Sequence, residues 1–274
     1  MDKSINTEFY RGQGEEFLGS YEPDKAVVIC KRLIAMDPKV KRYHYWWARI
    51  RWGQERYRWS ELKFRETIIL DPQDPDVLNK MGIVFSNQGK YDEAISVFQK
   101  ALKIPQRKPD VLLGLAITLT KKGDYEEALE WYGKALEANP LNSSIHNSMG
   151  YLSFLQGKYT DALLKFDDAI KHGPLGEFSY FNKAMTLFCQ SGMEEESRNA
   201  FEFGIQAITN GNVQILHTLK ASVNNYNSEM NRVTKEMEHA EDLGPGVRVN
   251  LEKIQKGLEY ILSLLVVEIE KLES

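Results

Sequence analysis

PDVLNKMGIVFSNQGKYDEAISVFQKALKIPQ, from Pro75 to Gln106, decides how the rest of the chain is read. Thirty-four residues on it returns as PDVLLGLAITLTKKGDYEEALEWYGKALEANP, Pro109 to Pro140. After the same interval it returns again as SSIHNSMGYLSFLQGKYTDALLKFDDAIKHGP, Ser143 to Pro174. A fixed period of that length marks a stacked repeat, because one unit cannot bury its apolar face alone. Leu78, Met81, Gly82 and Phe85 recur at spacings of three and four, the face of one helix. Gln88-Gly89-Lys90 interrupts them, and glycine suits the left-handed turn that ends a helix. Tyr91, Ala94, Ile95, Phe98, Ala101 and Leu102 then restart the spacing, and Asp92 and Glu93 favour the positive end of that second helix. Each period therefore reads as helix, turn, helix.

Small residues hold fixed places in the period. Gly82, Ala116 and Gly150 share one, Ala94, Ala128 and Ala162 another, and Ala101, Ala135 and Ala169 a third. They let two helices cross closely, while Phe85, Phe98, Tyr132, Phe154 and Phe166 fill the space beside them. The pattern resembles the tetratricopeptide repeat family. In the second copy the matching residues are Leu112, Leu115, Ala116, Leu119, Gly123, Tyr125, Ala128, Tyr132, Ala135 and Pro140. The resemblance covers residues 7–207 as six repeats, near 7–40, 41–74, 75–108, 109–142, 143–176 and 177–207. It implies an all-α, right-handed solenoid acting as a protein-interaction scaffold.

The register extends outward. Pro38, Pro72, Pro140 and Pro174 share a place where proline stops the second helix, and only Gln106, beside Pro105, breaks the series. The repeat from Lys41 keeps Trp47, Ala48, Tyr57, Phe64 and Leu70, but has Glu55 where glycine is usual and Ser60 and Thr67 where alanine is. The repeat from Thr7 keeps Gly14, Phe17, Ala26, Asp37 and Pro38, whereas Tyr21 and Leu33 depart. The sixth repeat matches at Ala184, Phe188, Gly192, Ser197, Phe201 and Gly204 if its first helix carries one inserted residue. Beyond it, Leu216, Leu219, Val223, Tyr226, Met230, Val233, Met237 and Ala240 follow a heptad, coiled-coil-like seam. After the turn signal Leu243-Gly244-Pro245-Gly246 comes a second stripe, Leu251, Ile254, Leu258, Ile261, Leu265 and Leu272. Residues 211–274 are thus expected to form two long helices, an antiparallel hairpin first of all. Alternatively they cap the last repeat, fill the groove or join two copies of the chain.

Composition bounds the function. Of 274 residues, 42% are hydrophobic and 27% charged, with a net charge of −4, a soluble composition ample for a core. The apolar stretch Ile261–Val267, interrupted only by Ser263, is too short for a bilayer. Met1–Asn6 opens no apolar run, so no secretory signal is expected. Cys30 and Cys189 lie far apart on apolar faces and read as small core residues in a reducing, cytoplasmic compartment. His44, His146, His172, His217 and His239 lack metal-ligand spacing. Arg11-Gly12-Gln13-Gly14 follows no strand, so it is no dinucleotide loop. Asp161, Asp167 and Asp168 read as a solvated helix face. No enzyme, cofactor or metal is expected.

The functional signal lies on the first helix of each repeat, which lines the concave side of such a solenoid. The residues expected to contact a partner are Arg42, Tyr45, Arg49 and Trp52, then Asn79, Ile83 and Asn87, then Leu113 and Ile117, then Asn147 and Tyr151. Glu8, Arg11 and Glu15 precede them, and Phe178, Phe181 and Met185 follow. Asparagine amides offer donor and acceptor together, which suits an extended peptide backbone. Apolar area at the late end requires cover, from a partner or from the C-terminal helices. Co-chaperones of the family grip a terminal carboxylate with lysines and asparagines on three successive first helices. No three repeats here reproduce that set, Asn79 and Lys80 alone falling short.

Residues 42–59 interleave Tyr43, Tyr45, Trp46, Trp47, Trp52, Tyr57 and Trp59 with five arginines, and residues 1–70 hold 14 Lys and Arg against 10 Asp and Glu. The first reading is an acidic partner protein or peptide. The second is single-stranded RNA stacked on the tryptophans, worth about 1–3 kcal/mol per base. A third is self-assembly through residues 211–274.

Overall fold

The computed structural model describes residues 23–104, 109–173, 176–190, 193–211, 215–238 and 245–273, which contain thirteen α-helices and no strand. By its contacts the chain divides between Ala138 and Asn139. The first unit holds α1 (Pro23–Met36), α2 (Lys41–Gly53), α3 (Tyr57–Leu70), α4 (Pro75–Asn87), α5 (Tyr91–Leu102), α6 (Pro109–Lys122) and α7 (Tyr125–Ala138). The second holds α8 (Ser143–Leu155), α9 (Tyr159–His172), α10 (Glu177–Cys189), α11 (Glu194–Gly211), α12 (Ile215–Glu238) and α13 (Pro245–Glu273). The first helix of the repeat near 7–40 lies outside the described residues, and with it Glu8, Arg11, Gly14, Glu15, Phe17 and Tyr21.

In the first unit α2 pairs with α3, α4 with α5 and α6 with α7, and each later first helix also packs on the second helix of the preceding pair. The small places explain this. Ala48, Ala94, Ala101, Ala116, Ala128 and Ala135 are all buried to within 1%. A Cβ on Gly82 would stand 2.7 Å from the Phe98 ring, and one on Gly114 would stand 2.8 Å from the same ring. Phe98 thus wedges between two successive first helices, and glycine alone leaves it room. Asp74 begins α4 by accepting hydrogen bonds from the backbone N–H groups of Asp76 and Val77, with Pro75 at the first helical place.

The atypical repeat from Lys41 compensates for its substitutions. Ser60, in the alanine place, donates its buried hydroxyl to the Ala48 carbonyl at 2.9 Å, and Thr67 donates to the Lys63 carbonyl at 2.8 Å. Gly89 and Gly123 end their helices at φ of +74° and +97°, and Glu55 adopts the same left-handed turn at +56°.

In the second unit α8 pairs with α9 and α10 with α11. Phe166 sits against Gly150 as Phe98 does against Gly82. Ser197 donates to the Ala184 carbonyl at 2.7 Å, repeating the Ser60 bond. Ala184 follows Gly150 by thirty-four residues, but Ser197 follows Ala162 by thirty-five. The extra residue therefore falls after Ala184, towards the turn that follows α10.

α12 and α13 pair with each other, and the Lys220–Glu273 contact at 2.7 Å, joining the start of one to the end of the other, makes them antiparallel. Their 24 and 29 residues span about 36 and 44 Å. Leu219, Tyr226 and Val233, seven apart, are buried from α12, and Leu251, Ile254, Leu258, Ile261 and Leu265 from α13. α13 also packs along α10, so the hairpin lies on the first helix of the sixth repeat and its seam is buried within the chain.

Candidate functional site

In the first unit the face expected to meet a partner is built by α2, α4 and α6. Arg42 and Arg49 are exposed on α2, seven residues apart and so about 10 Å along one side. Each guanidinium lies over an aromatic ring, Arg42 over Trp46 at 6.0 Å and Arg49 over Tyr45 at 5.8 Å. Tyr45 in turn meets Phe64 edge-on at 5.8 Å. These cations are held on aromatic faces, and the two arginines are otherwise exposed.

Two contacts join successive first helices. Lys80 of α4 places its ammonium 5.5 Å from the centre of the Trp52 ring of α2. Lys121 of α6 donates to Asn87 Oδ1 of α4 at 3.1 Å, although these two residues share one place in the period. Ile83, Leu113 and Ile117 are half-buried between these polar contacts. Asn79 departs from the expectation of a surface amide. It is 5% exposed, and its Oδ1 and the hydroxyl of Ser86 are buried with no hydrogen-bond partner among the described residues. Gly114 comes close to that oxygen, since a Cβ there would stand 3.3 Å away. Ser86 belongs to this face as its spacing predicts, and Lys80 belongs to it although its spacing does not place it there. Lys80 reaches it only through its long side chain, and Ser86 shares the period place of Trp52.

In the second unit the corresponding face, on α8 and α10, carries the chain's own C-terminal helices. Asn147 Oδ1 accepts from Asn182 Nδ2 at 3.1 Å, and Asn182 Oδ1 accepts from the Tyr226 hydroxyl of α12 at 2.9 Å. Tyr151 stacks on Phe154 and buries its hydroxyl beside Glu229 and Arg232 of α12. Burial pushes that phenol well above its ordinary pKa and Glu229 adds to the shift, while Arg232 opposes it. Arg232 is itself held between Glu229 and Glu236.

α13 covers the rest of this face. Gly257 approaches so closely that a Cβ would lie 2.8 Å from Cys189 Sγ and 2.9 Å from Met185 Cγ. Tyr260 stacks on Phe188 at 4.0 Å with 6° between the rings. Asn250 donates to the Leu155 carbonyl at 2.7 Å and accepts from the Tyr159 hydroxyl at 3.2 Å. Phe181 is fully buried against Phe201, and the polar place beside it falls to Asn182. The structure therefore separates the expected contact residues into two groups. Arg42, Tyr45, Arg49, Trp52, Ile83, Asn87, Leu113 and Ile117 are exposed or half-buried on the first helices of the first unit, whereas Asn79 is buried beside Gly114 of α6. Asn147 and Tyr151 are engaged by α10 and α12.

The aromatic segment also divides. Trp46 and Trp47 are 8% and 9% exposed and belong to the cluster around Leu33 and Cys30. Trp52 is half-buried, and Trp59, on α3, is 54% exposed. Among the described residues no group of three or more His, Cys, Asp or Glu side chains is placed to hold a metal ion. Burial raises the Cys30 and Cys189 thiols to about 12, which makes them poor nucleophiles. No described helix is long and apolar enough to cross a membrane.

Two family models described as tetratricopeptide repeat match residues 87–150 and 63–96. No curated protein matches in sequence. Among solved structures, PilW, a widely conserved type IV pilus biogenesis factor, is similar with a TM-score of 0.63 at 16% identity, over 78% of this chain and 98% of its own. A tetratricopeptide repeat protein from Parabacteroides merdae ATCC 43184 is similar with a TM-score of 0.57 at 15% identity, over 92% of this chain and 98% of its own. A monomeric mutant of IFIT1 with Gppp-AAAA is similar with a TM-score of 0.59 at 14% identity, over 93% of this chain and 71% of its own. At such identities the likeness is one of fold.

Proposed function

Because this chain is a tetratricopeptide repeat protein, we propose that it is a non-enzymatic interaction scaffold whose α2–α4–α6 face takes a segment of a partner protein. The observation that carries this reading is the row of cations on that face. Arg42, Arg49 and Lys80 lie over aromatic rings and Lys121 on an asparagine oxygen, with half-buried Ile83, Leu113 and Ile117 between. Cations already positioned by the fold pair with carboxylates at little further entropic cost, so the partner segment is acidic, with apolar residues between its acids. Asp76 and Asp110 stand at the starts of α4 and α6, and they disfavour acidic residues at that end, which gives the segment a direction. A cytoplasmic setting belongs to the same reading and rests on the two unpaired cysteines.

The test is capture of partners from the source lysate, with and without nuclease, by the wild-type chain and by an Arg49→Glu/Lys80→Glu variant of unchanged melting temperature. Defined proteins retained through nuclease treatment and lost from the variant are the expected outcome. Full retention by the variant would falsify the assignment of the face.

RNA binding through residues 42–59 is the second reading, favoured by exposed Trp59 and half-buried Trp52 among Arg49, Arg56 and Arg58. It gives up Trp46 and Trp47 to the core. Retained material that disappears with nuclease, and affinity that falls steeply with salt, would select it.

A further inference from the structure

A groove of about 1090 Å³ opens between α3 and α5, on the side of α4 opposite Asn79 and Ile83. Leu78, Met81 and Phe85 of α4 form its floor, and Ile68, Ile69 and Val97 its walls. Ile69 is 78% exposed, an unusual state for an isoleucine beside an apolar floor. The rim is electrically polar. Asp92 and Glu93 stand at one end, and Lys100 and Lys103 at the other. Eleven residues of α5 separate the extremes, about 17 Å. A helix of that length and of ordinary width displaces roughly 1300–1900 Å³. The groove is therefore of the size to hold more than half of a three-turn helix.

The same chain carries a helix end that matches. The buried residues of α13 stop at Leu265, while Val266, Val267 and Leu272 beyond it are 44–48% exposed. Leu262, Val266 and Ile269, at spacings of four and three, form an apolar stripe that α12 and α10 leave partly open. Exposed Glu270 lies at its C-terminal end, where Glu273 is paired with Lys220 of α12, and exposed Lys256 lies upstream. From Lys256 to Glu270 the helix rises about 21 Å, which the reach of a lysine side chain reconciles with the 17 Å between the charged ends of the groove.

We propose that this groove seats the C-terminal end of α13 from a second copy of the chain. The helix lies parallel to α5, with Glu270 at Lys100 and Lys103 and Lys256 at Glu93, while Asp92 keeps its pairing with Lys122. The reverse orientation would set like charges together at both ends. The negative end of the α13 dipole meets the lysines in the same arrangement. Because groove and helix end are different surfaces, the contact is heterologous, and copies add until a ring closes or a filament runs on. A contact of this length is at the small end of specific interfaces, so association is weak and concentration-dependent.

Sedimentation of the full chain over a range of concentrations tests this. The expected result is an average mass that rises with concentration. Ile69→Asp, Lys100→Glu/Lys103→Glu and Glu270→Lys should each weaken association by roughly tenfold or more. These residues are exposed or on the rim, so melting temperatures should stay unchanged. Combining the two charge reversals in one chain should restore association. A single monomeric mass at every concentration overturns the proposal, even if the groove accepts a helix of another protein. So does association that survives Ile69→Asp, or that the combined charge reversal leaves lost.

Discussion

Glu55 is the only described non-glycine residue with positive φ, and it occupies the turn where Gly89, Gly123 and Gly157 stand in later repeats. An L-residue in that conformation costs roughly 1–2 kcal/mol, part of which glycine gives back in backbone entropy. Glu55→Gly should therefore stabilise the chain by about 0.5–1 kcal/mol, read from urea unfolding, and Glu55→Ala should give no such gain. A second residue-scale feature is written twice. His44 and His146 share one place three periods apart, and each sets Nε2 2.9 Å from a proline carbonyl, of Pro38 and Pro140. A carbonyl only accepts, so Nε2 carries the hydrogen in both rings. Nδ1 of His44 faces Glu66 at 2.8 Å, and Nδ1 of His146 faces Asp168, in the equivalent place, at 3.9 Å. Burial raises the Glu66 carboxyl, but hydrogen bonds from Lys63 and His44 outweigh it and hold the group below its ordinary 4.5. A carboxyl lowered by folding stabilises the fold above its unfolded value and ceases to as pH falls through the folded one. Acid should therefore weaken the wild type progressively as pH falls from the ordinary value through the lowered one, and Glu66→Gln should flatten the acid limb in urea titrations down to about pH 3.

The elements owe their packing to small residues against rings. Ala128 is fully buried where α7 crosses α6, so Ala128→Leu should cost about 1–3 kcal/mol, and an unchanged melting temperature would count against this crossing. The hairpin of α12 and α13 holds by both apolar and polar contacts. Leu258 is fully buried on α13, and Leu258→Ala should cost about 2–5 kcal/mol. Tyr226→Phe removes one bond and leaves an amide oxygen of Asn182 short of its donor, at about 1–3 kcal/mol. Both costs should appear in thermal unfolding, and the tyrosine change should leave helix content unaltered.

At the scale of the molecule, the net charge of −4 conceals a basic face, because Arg42, Arg49, Lys80 and Lys121 gather where the first helices of the first unit align. Deleting residues 211–274 should strip α10 of the side chains that cover Met185, Phe188 and Cys189. Increased dye binding to apolar surface and reduced solubility are the expected readouts. If the deletion left both unchanged, the covering role of the hairpin would fail.

The sequence by itself determined the repeat, its two-helix unit and the solenoid class, because a period of thirty-four residues and its small places depend only on local spacing. It also located the row of arginines and aromatics on α2, since seven residues return to one face of a helix. The hairpin was legible from its heptad stripe, but its docking site was not. A stripe states that a face must be buried and not against what, and hydrogen bonds such as Tyr226 to Asn182 join residues 44 apart in sequence. For the same reason the asparagines could not be ranked from sequence. Asn79 and Asn147 hold one place in the period, yet the tertiary structure gives Asn147 a neighbour in Asn182 and sets Gly114 beside Asn79. Which of the expected contact residues face water and which face the chain's own helices depends on packing between distant segments, and only the folded structure decides that.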